Sequence, residues 1–179
     1  TATVQNDGRD AQVAATKLAD SEPEAVIIGL AGKPTLDFVK AFRSQRRGTP
    51  LYALSVMGAA ATLQALGRDA AGMAITQVVP QPTNPAVPIV REFMQAWKNA
   101  NMAQDPSHSA LEGYIIARTF CEALQRAGKN PSRAAFIDAT WSLKKWDMGG
   151  FEINATEPGQ NASRFVELTL VGRDGRFMR

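Results

Sequence analysis

The run Ala25-Val26-Ile27-Ile28-Gly29-Leu30 is continuously apolar and follows a proline-containing turn, a pattern that predicts a short strand buried on both faces of a parallel sheet. A helix should come next. Between Thr35 and about Arg47, Phe38, Val39 and Phe42 share one face, and Gly48-Thr49-Pro50 stops the periodicity. Leu51 to Val56 reads as a second strand, Gly58 to Leu66 as a short helix and Gly72 to Val79 as a third strand. This β-α-β-α-β succession predicts an α/β fold, a parallel sheet flanked by helices with right-handed crossovers.

The pattern then changes. Pro80, Pro82, Pro85 and Pro88 punctuate one stretch that cannot enter a sheet interior, because proline has no amide to donate. Beyond this crossover Ile89, Val90, Phe93, Met94 and Trp97 form an apolar stripe, with Arg91, Glu92, Gln95 and Lys98 facing outward. Ser109 and Glu112 have the spacing of a capping box for a helix reaching about Ala127 before Gly128, and Asn130-Pro131 should open a third helix ending near Thr140. Extended segments are expected around Phe151 to Ile153 and Phe165 to Val171, with a turn at Asp174-Gly175 before Arg176-Phe177-Met178.

Composition narrows the functional classes. A chain of 179 residues, 45% of them hydrophobic, can bury a real core. Lys and Arg number 20 against 17 Asp and Glu and are dispersed, which argues against a nucleic-acid surface. The densest basic group, Arg43, Arg46 and Arg47, ends a helix, where cations oppose the negative end of the backbone dipole. The single Cys121 cannot form an internal disulfide, offers no zinc or thiol-redox set, and falls in a helical pattern that predicts a small buried side chain. No metal or cofactor site is expected.

No apolar run reaches the ~18–20 residues needed to span a bilayer. The start, Thr1-Ala2-Thr3-Val4, lacks a signal-peptide layout, which fits a cytoplasmic protein or one whose signal was removed. His108 is the only histidine. Ser107, Ser109, Asp105 and Glu112 lie near it, but all belong to one loop and helix start where capping explains them, so no catalytic role is expected. Trp97 should be core; Trp141 and Trp146 could stack on a ligand. The triplets at Asn154 and Asn161 match the glycosylation sequon by chance.

The ordered pieces Ala-Val-Ile-Ile-Gly-Leu-Ala-Gly-Lys-Pro-Thr-Leu-Asp-Phe-Val, Leu-Tyr-Ala-Leu-Ser-Val-Met-Gly, Ala-Ala-Gly-Met-Ala-Ile-Thr-Gln-Val-Val-Pro, Val-Arg-Glu-Phe-Met-Gln-Ala-Trp and Ala-Leu-Glu-Gly-Tyr-Ile-Ile-Ala-Arg span essentially the whole chain. In this order they resemble the C-terminal portion of the leucine/isoleucine/valine-binding type of periplasmic binding proteins. The resemblance implies a type I fold of two α/β lobes with ligand held between them. Residues 1–80 would be part of the second lobe, with a helix over Asp7 to Asp20. Residues 81–140 would be a crossover and helices packing on an absent N-terminal lobe, and 141–179 extended hinge segments. It also implies a removed signal peptide, a periplasmic location and an inner-membrane ABC permease as partner.

Ligands of open α/β sheets bind beyond the carboxyl ends of the strands. That rule selects Leu30, Ala31, Gly32 and Lys33 after the first strand, Ser55, Val56 and Met57 after the second, and Gln77 at the third. His108 and Ser109 join them at the capped helix beside the expected hinge. The resemblance implies an aromatic ligand contact at Ala31, a carboxylate for a ligand ammonium at Met57 or its neighbours, and a hinge-side contact at Ser109. A methionine in place of that carboxylate favours an aromatic or keto acid over leucine, although Met57 could equally be core. A sensor of the same fold and a small α/β enzyme are the other readings.

Overall fold

The computed structural model describes residues 1–58 and 60–178. Ala59, inside the segment expected to be the second helix, lies outside the described residues. The chain forms two compact units, Thr1–Gln77 with Leu168–Arg179, and Val78–Glu167.

In the first unit α1 (Ala11–Asp20), β1 (Val26–Ile28), α2 (Lys33–Gln45), β2 (Leu51–Ala53), α3 (Ala60–Leu66) and β3 (Ala74–Gln77) follow one another, and β6 (Glu167–Val171) and β7 (Phe177–Met178) complete the sheet. The strand order is β1-β2-β3-β6-β7. β1 pairs parallel with β2, Ile28 opposite Ala53, and β2 parallel with β3, Ala53 opposite Ile75. The final hairpin is antiparallel, with Val171 opposite Phe177 across the expected Asp174-Gly175 turn. The strands are shorter than the apolar runs suggested, because Gly29, Leu54 and Val78 already belong to the loops that leave the sheet.

Helix α2 shows how local sequence sets these pieces. Gly32 precedes it at φ 62°, a conformation that favours glycine, and Pro34 occupies the first turn, where no amide donor is needed. Phe38 and Phe42 stack 5.8 Å apart on its buried face. At its far end Arg43 folds inward and donates to the carbonyls of Arg47 (2.6 Å), Thr49 (2.7 Å) and Asp69 (3.3 Å). Burial lowers the Arg43 pKa, and the charge of Asp69 opposes that shift. The basic cluster is thus a helix terminus, with Arg46 paired to Glu22 at 2.6 Å.

One expectation about the sheet fails. Val26, Ile28, Leu51, Ala53 and Ile75 are buried with residues of α1, α2 and α3 in one core, whereas the alternate side chains Ile27 and Tyr52 are 81% and 40% exposed. Leu168, Leu170 and Met178 extend the same exposed face. Among the described residues all three helices contribute to one core on one side, so the strands alternate instead of being buried on both faces.

The second unit holds α4 (Pro88–Asn99), α5 (His108–Arg126), α6 (Arg133–Trp141) and the two-stranded β4 (Trp146–Asp147) and β5 (Glu152–Ile153). Its core is Val79, Ile89, Val90, Phe93, Leu111, Ile115, Leu143, Phe151 and Ile153, against which Trp97, Trp141 and Trp146 are partly buried. The turn after β4 is wedged against α4. Asp147 accepts from the amides of Gly149 and Gly150, Gly149 (φ 89°) accepts from Ile89 N–H, and a side chain at Gly149 would meet Pro88 at 2.8 Å.

The starts of α5 and α6 differ from expectation. Ser107 caps α5 by accepting from Ala110 N–H at 3.2 Å, and Ser132 caps α6 by accepting from Ala135 N–H at 3.1 Å. The Ser109–Glu112 box lies two residues late, since Ser109 is already inside the helix. Cys121 is exposed, contrary to the expected burial. The buried face of α5 runs through Leu111, Ile115 and Ala123, and Cys121 lies off it.

Candidate ligand-binding site

Parallel pairing brings the carboxyl ends of β1, β2 and β3 to one edge of the first unit. Two residues beyond the paired level of Ile28, Ala53 and Ile75 come Leu30, Ser55 and Gln77. The loop after β1 offers Ala31, Gly32 and Lys33, all exposed, with Leu30 half-buried. After β2 a 3₁₀ turn spans Ser55–Met57, in which Val56 is exposed and Ser55 half-buried. Lys33 is the cation of this edge and pairs with Asp37 one turn along α2. No acidic residue occurs in 29–33 or in 54–58.

Two of the expected contacts are committed elsewhere. Met57 is fully buried among the core residues of the unit, so its side chain serves packing. Gln77 is 1% exposed, and its amide donates to the Thr169 hydroxyl at 3.2 Å. The hydroxyl in turn donates to the Ile75 carbonyl at 3.1 Å. Thr169 is the residue that sequence reading passed over. It lies in a strand remote in sequence, and only the pairing of β3 with β6 reveals it.

His108 and Ser109 belong to the second unit, the strand ends to the first. Ser109 is exposed, while His108 is buried in the first turn of α5. Burial lowers the His108 pKa from 6.5 to about 4, so the folded protein holds the imidazole neutral. The unfolded chain takes up the proton first as pH falls. The contribution of His108 to stability is therefore fully present above pH 6.5 and is lost as the pH drops toward about 4. Urea midpoints measured across that range should fall for the wild type, and His108→Leu should flatten the decline. An equal slope in both proteins would dismiss this role.

A second concave feature lies wholly inside the second unit. A groove of about 600 Å³ is lined by Ile115, Ile116, Phe120, Phe136, Phe151 and Phe165 among others. Its hydroxyls are engaged locally: Thr119 and Thr140 donate to the carbonyls of Ile115 and Phe136, and Ser163 accepts from Phe165 N–H. Small-molecule sites combine apolar walls with convergent polar groups, and here Glu112 and Asn161 are the lining side chains besides the hydroxyls that could supply them.

The chain matches the family model described as periplasmic binding protein over residues 1–176. It belongs to the periplasmic binding protein family. No curated protein matches it. Among solved structures, an extracellular ligand-binding receptor from Verminephrobacter eiseniae ef01-2 is 29% identical, with a TM-score of 0.85 over 99% of this chain and 51% of that one. A substrate-binding periplasmic protein from Ralstonia solanacearum is 28% identical, with a TM-score of 0.82 over 96% of this chain and 49% of its own. A "possible leucine/isoleucine/valine-binding protein" from Rhodopirellula baltica SH 1 is 27% identical, with a TM-score of 0.81 over 93% of this chain and 46% of its own.

This periplasmic binding protein chain thus spans about half the length of these solved relatives. The resemblance read from the ordered sequence pieces is met, as is the type I α/β fold. The family model and these solved relatives are described as binding proteins and receptors. No helix among the described residues is long and apolar enough to cross a membrane, and no cluster of metal-ligating residues occurs among them.

Proposed function

We propose that the chain is the C-terminal part of an extracytoplasmic solute-binding protein that delivers a small carboxylate to an inner-membrane ABC permease. The strand-end edge carries this reading. Three parallel strands bring Leu30 to Lys33 and Ser55 to Val56 together, where one lysine, paired with Asp37, is the cation and neither 29–33 nor 54–58 contains an acidic residue. An α-ammonium ligand would lack a charge-assisted partner at this edge, whereas a carboxylate-bearing aromatic or keto acid would meet apolar surface and a cation. The core position of Met57 weakens one argument for an aromatic ligand, and the absence of an acidic residue in 54–58 keeps the other.

The other half of the cleft would come from an N-terminal lobe. Chain length supports this, since the solved relatives are about twice as long. The apolar groove of the second unit and the bare face of the five-stranded sheet supply surfaces for it to cover.

Native mass spectrometry of the full-length protein, followed by titration with branched-chain and aromatic carboxylates, tests the ligand class. Ala31→Trp should lower affinity at least about tenfold by filling the cleft, with thermal stability nearly unchanged because position 31 is exposed. Wild-type affinity in that variant would move the site elsewhere.

A further inference from the structure

The chain passes between its two units at Gln77–Val78 and again at Glu167–Leu168. Both passages begin in adjoining strands, and the first unit ties those strands together beside the exits. Gln77 is the last residue before the first passage, and Thr169 follows the second by two positions. Their side chains meet in the interior, 1% and 7% exposed. The Gln77 amide donates to Thr169 Oγ1 at 3.2 Å, and Thr169 Oγ1 donates to the Ile75 carbonyl at 3.1 Å. Two further bonds, Val171 N–H to the Met73 carbonyl at 2.9 Å and Gly72 N–H to the Val171 carbonyl at 2.8 Å, continue the junction inward.

Most core positions in this unit are apolar. A glutamine at a fully buried place needs a specific partner, because an unmade buried hydrogen bond costs more than a made one gains. Here the partner comes from the other passage. We propose that Gln77 and Thr169 form a latch that makes both passages leave the first unit from one rigid platform, so that motion between the units is confined to residues beyond the latch. This assigns Gln77 a positioning role in place of direct ligand contact. The threonine is the keystone, since it accepts from Gln77 and donates to β3 at once.

Amide hydrogen exchange on the protein tests the proposal. Thr169→Val keeps the shape, leaves the Gln77 amide without its acceptor and removes the bond to Ile75. Exchange should rise roughly tenfold at Val78, Val79 and residues 166–168. Amides of α1 and α2 should stay at wild-type rates. Gln77→Met should give a smaller rise at the same amides, because Thr169 keeps its bond to Ile75. Thr169→Ser should restore wild-type exchange. The double variant Gln77→Met/Thr169→Val should fall short of the sum of the single effects. Should Thr169→Val fail to fold, Gln77→Met carries the same comparison. Unchanged exchange at the passages, or a uniform rise through α1 and α2, would overturn the latch and leave an ordinary stabilising contact.

Discussion

Residues 1–179 expressed alone should sediment as a self-associated species, and Ile116→Ser with Phe120→Ser should shift it toward monomer. The two side chains are 62% and 53% exposed on α5 and line the groove of the second unit. Leu124 and Ile137, also exposed, lie on α5 and α6, and Phe120 meets Phe136 at 5.0 Å. An apolar area of this kind is normally covered in a soluble protein. Each side chain buried in an association contributes about 1.5–3 kcal/mol, so each serine should weaken it at least about tenfold. Both positions are exposed, so folding should change little. Ligand affinity of the lone chain should also fall sharply relative to the full-length protein, because a cleft closed from one side leaves its solute wet. Analytical ultracentrifugation and calorimetry together decide the matter: a well-folded monomer that binds as tightly as the intact protein would end the two-lobed reading.

Met57→Ala should destabilise the first unit by about 2–5 kcal/mol, the usual cost of removing a large buried side chain and leaving a cavity. Met57 is fully buried in the same core as Phe42 and Leu63. Denaturant unfolding should show a lower midpoint with an unchanged slope. The contrast with Ala31→Trp is informative, because the two positions were candidates for the same site. A variant with normal stability and altered ligand affinity would return Met57 to the ligand list.

The sheet was legible because its strands are short apolar runs separated by one amphipathic helix and clear Gly/Pro stops. Strand polarity then located the edge carrying Leu30 to Lys33 and Ser55 to Met57 without knowledge of any side-chain contact. What periodicity could not supply was which face each side chain takes and which remote strand it meets. Ile27 sits in an unbroken apolar run yet faces outward, and the run itself holds no record of whether a second layer is present. Gln77 looked available because its partner lies in a strand 92 residues later. Ser107-His108-Ser109 contains two credible caps, and the downstream Glu112 favoured the wrong one. Cys121 was expected inside because it falls in a helical pattern with Tyr114, Ile115 and Leu124. Its true interior face is the narrower line of Leu111, Ile115 and Ala123.

The division of the first unit into two stretches of chain has a consequence for synthesis. The second unit is continuous, Val78–Glu167, and all of its residues have been made before Leu168 is added. The first unit begins earlier and finishes later, because β6 and β7 must join a sheet whose other strands were made some ninety residues before. Until they arrive, β3 has an open edge, with the carbonyls of Met73 and Ile75 awaiting Val171 and Thr169. A nascent chain paused at any point in the second unit therefore holds β1, β2 and β3 with the place beside β3 unfilled. Leu168–Arg179 is the piece that fills it.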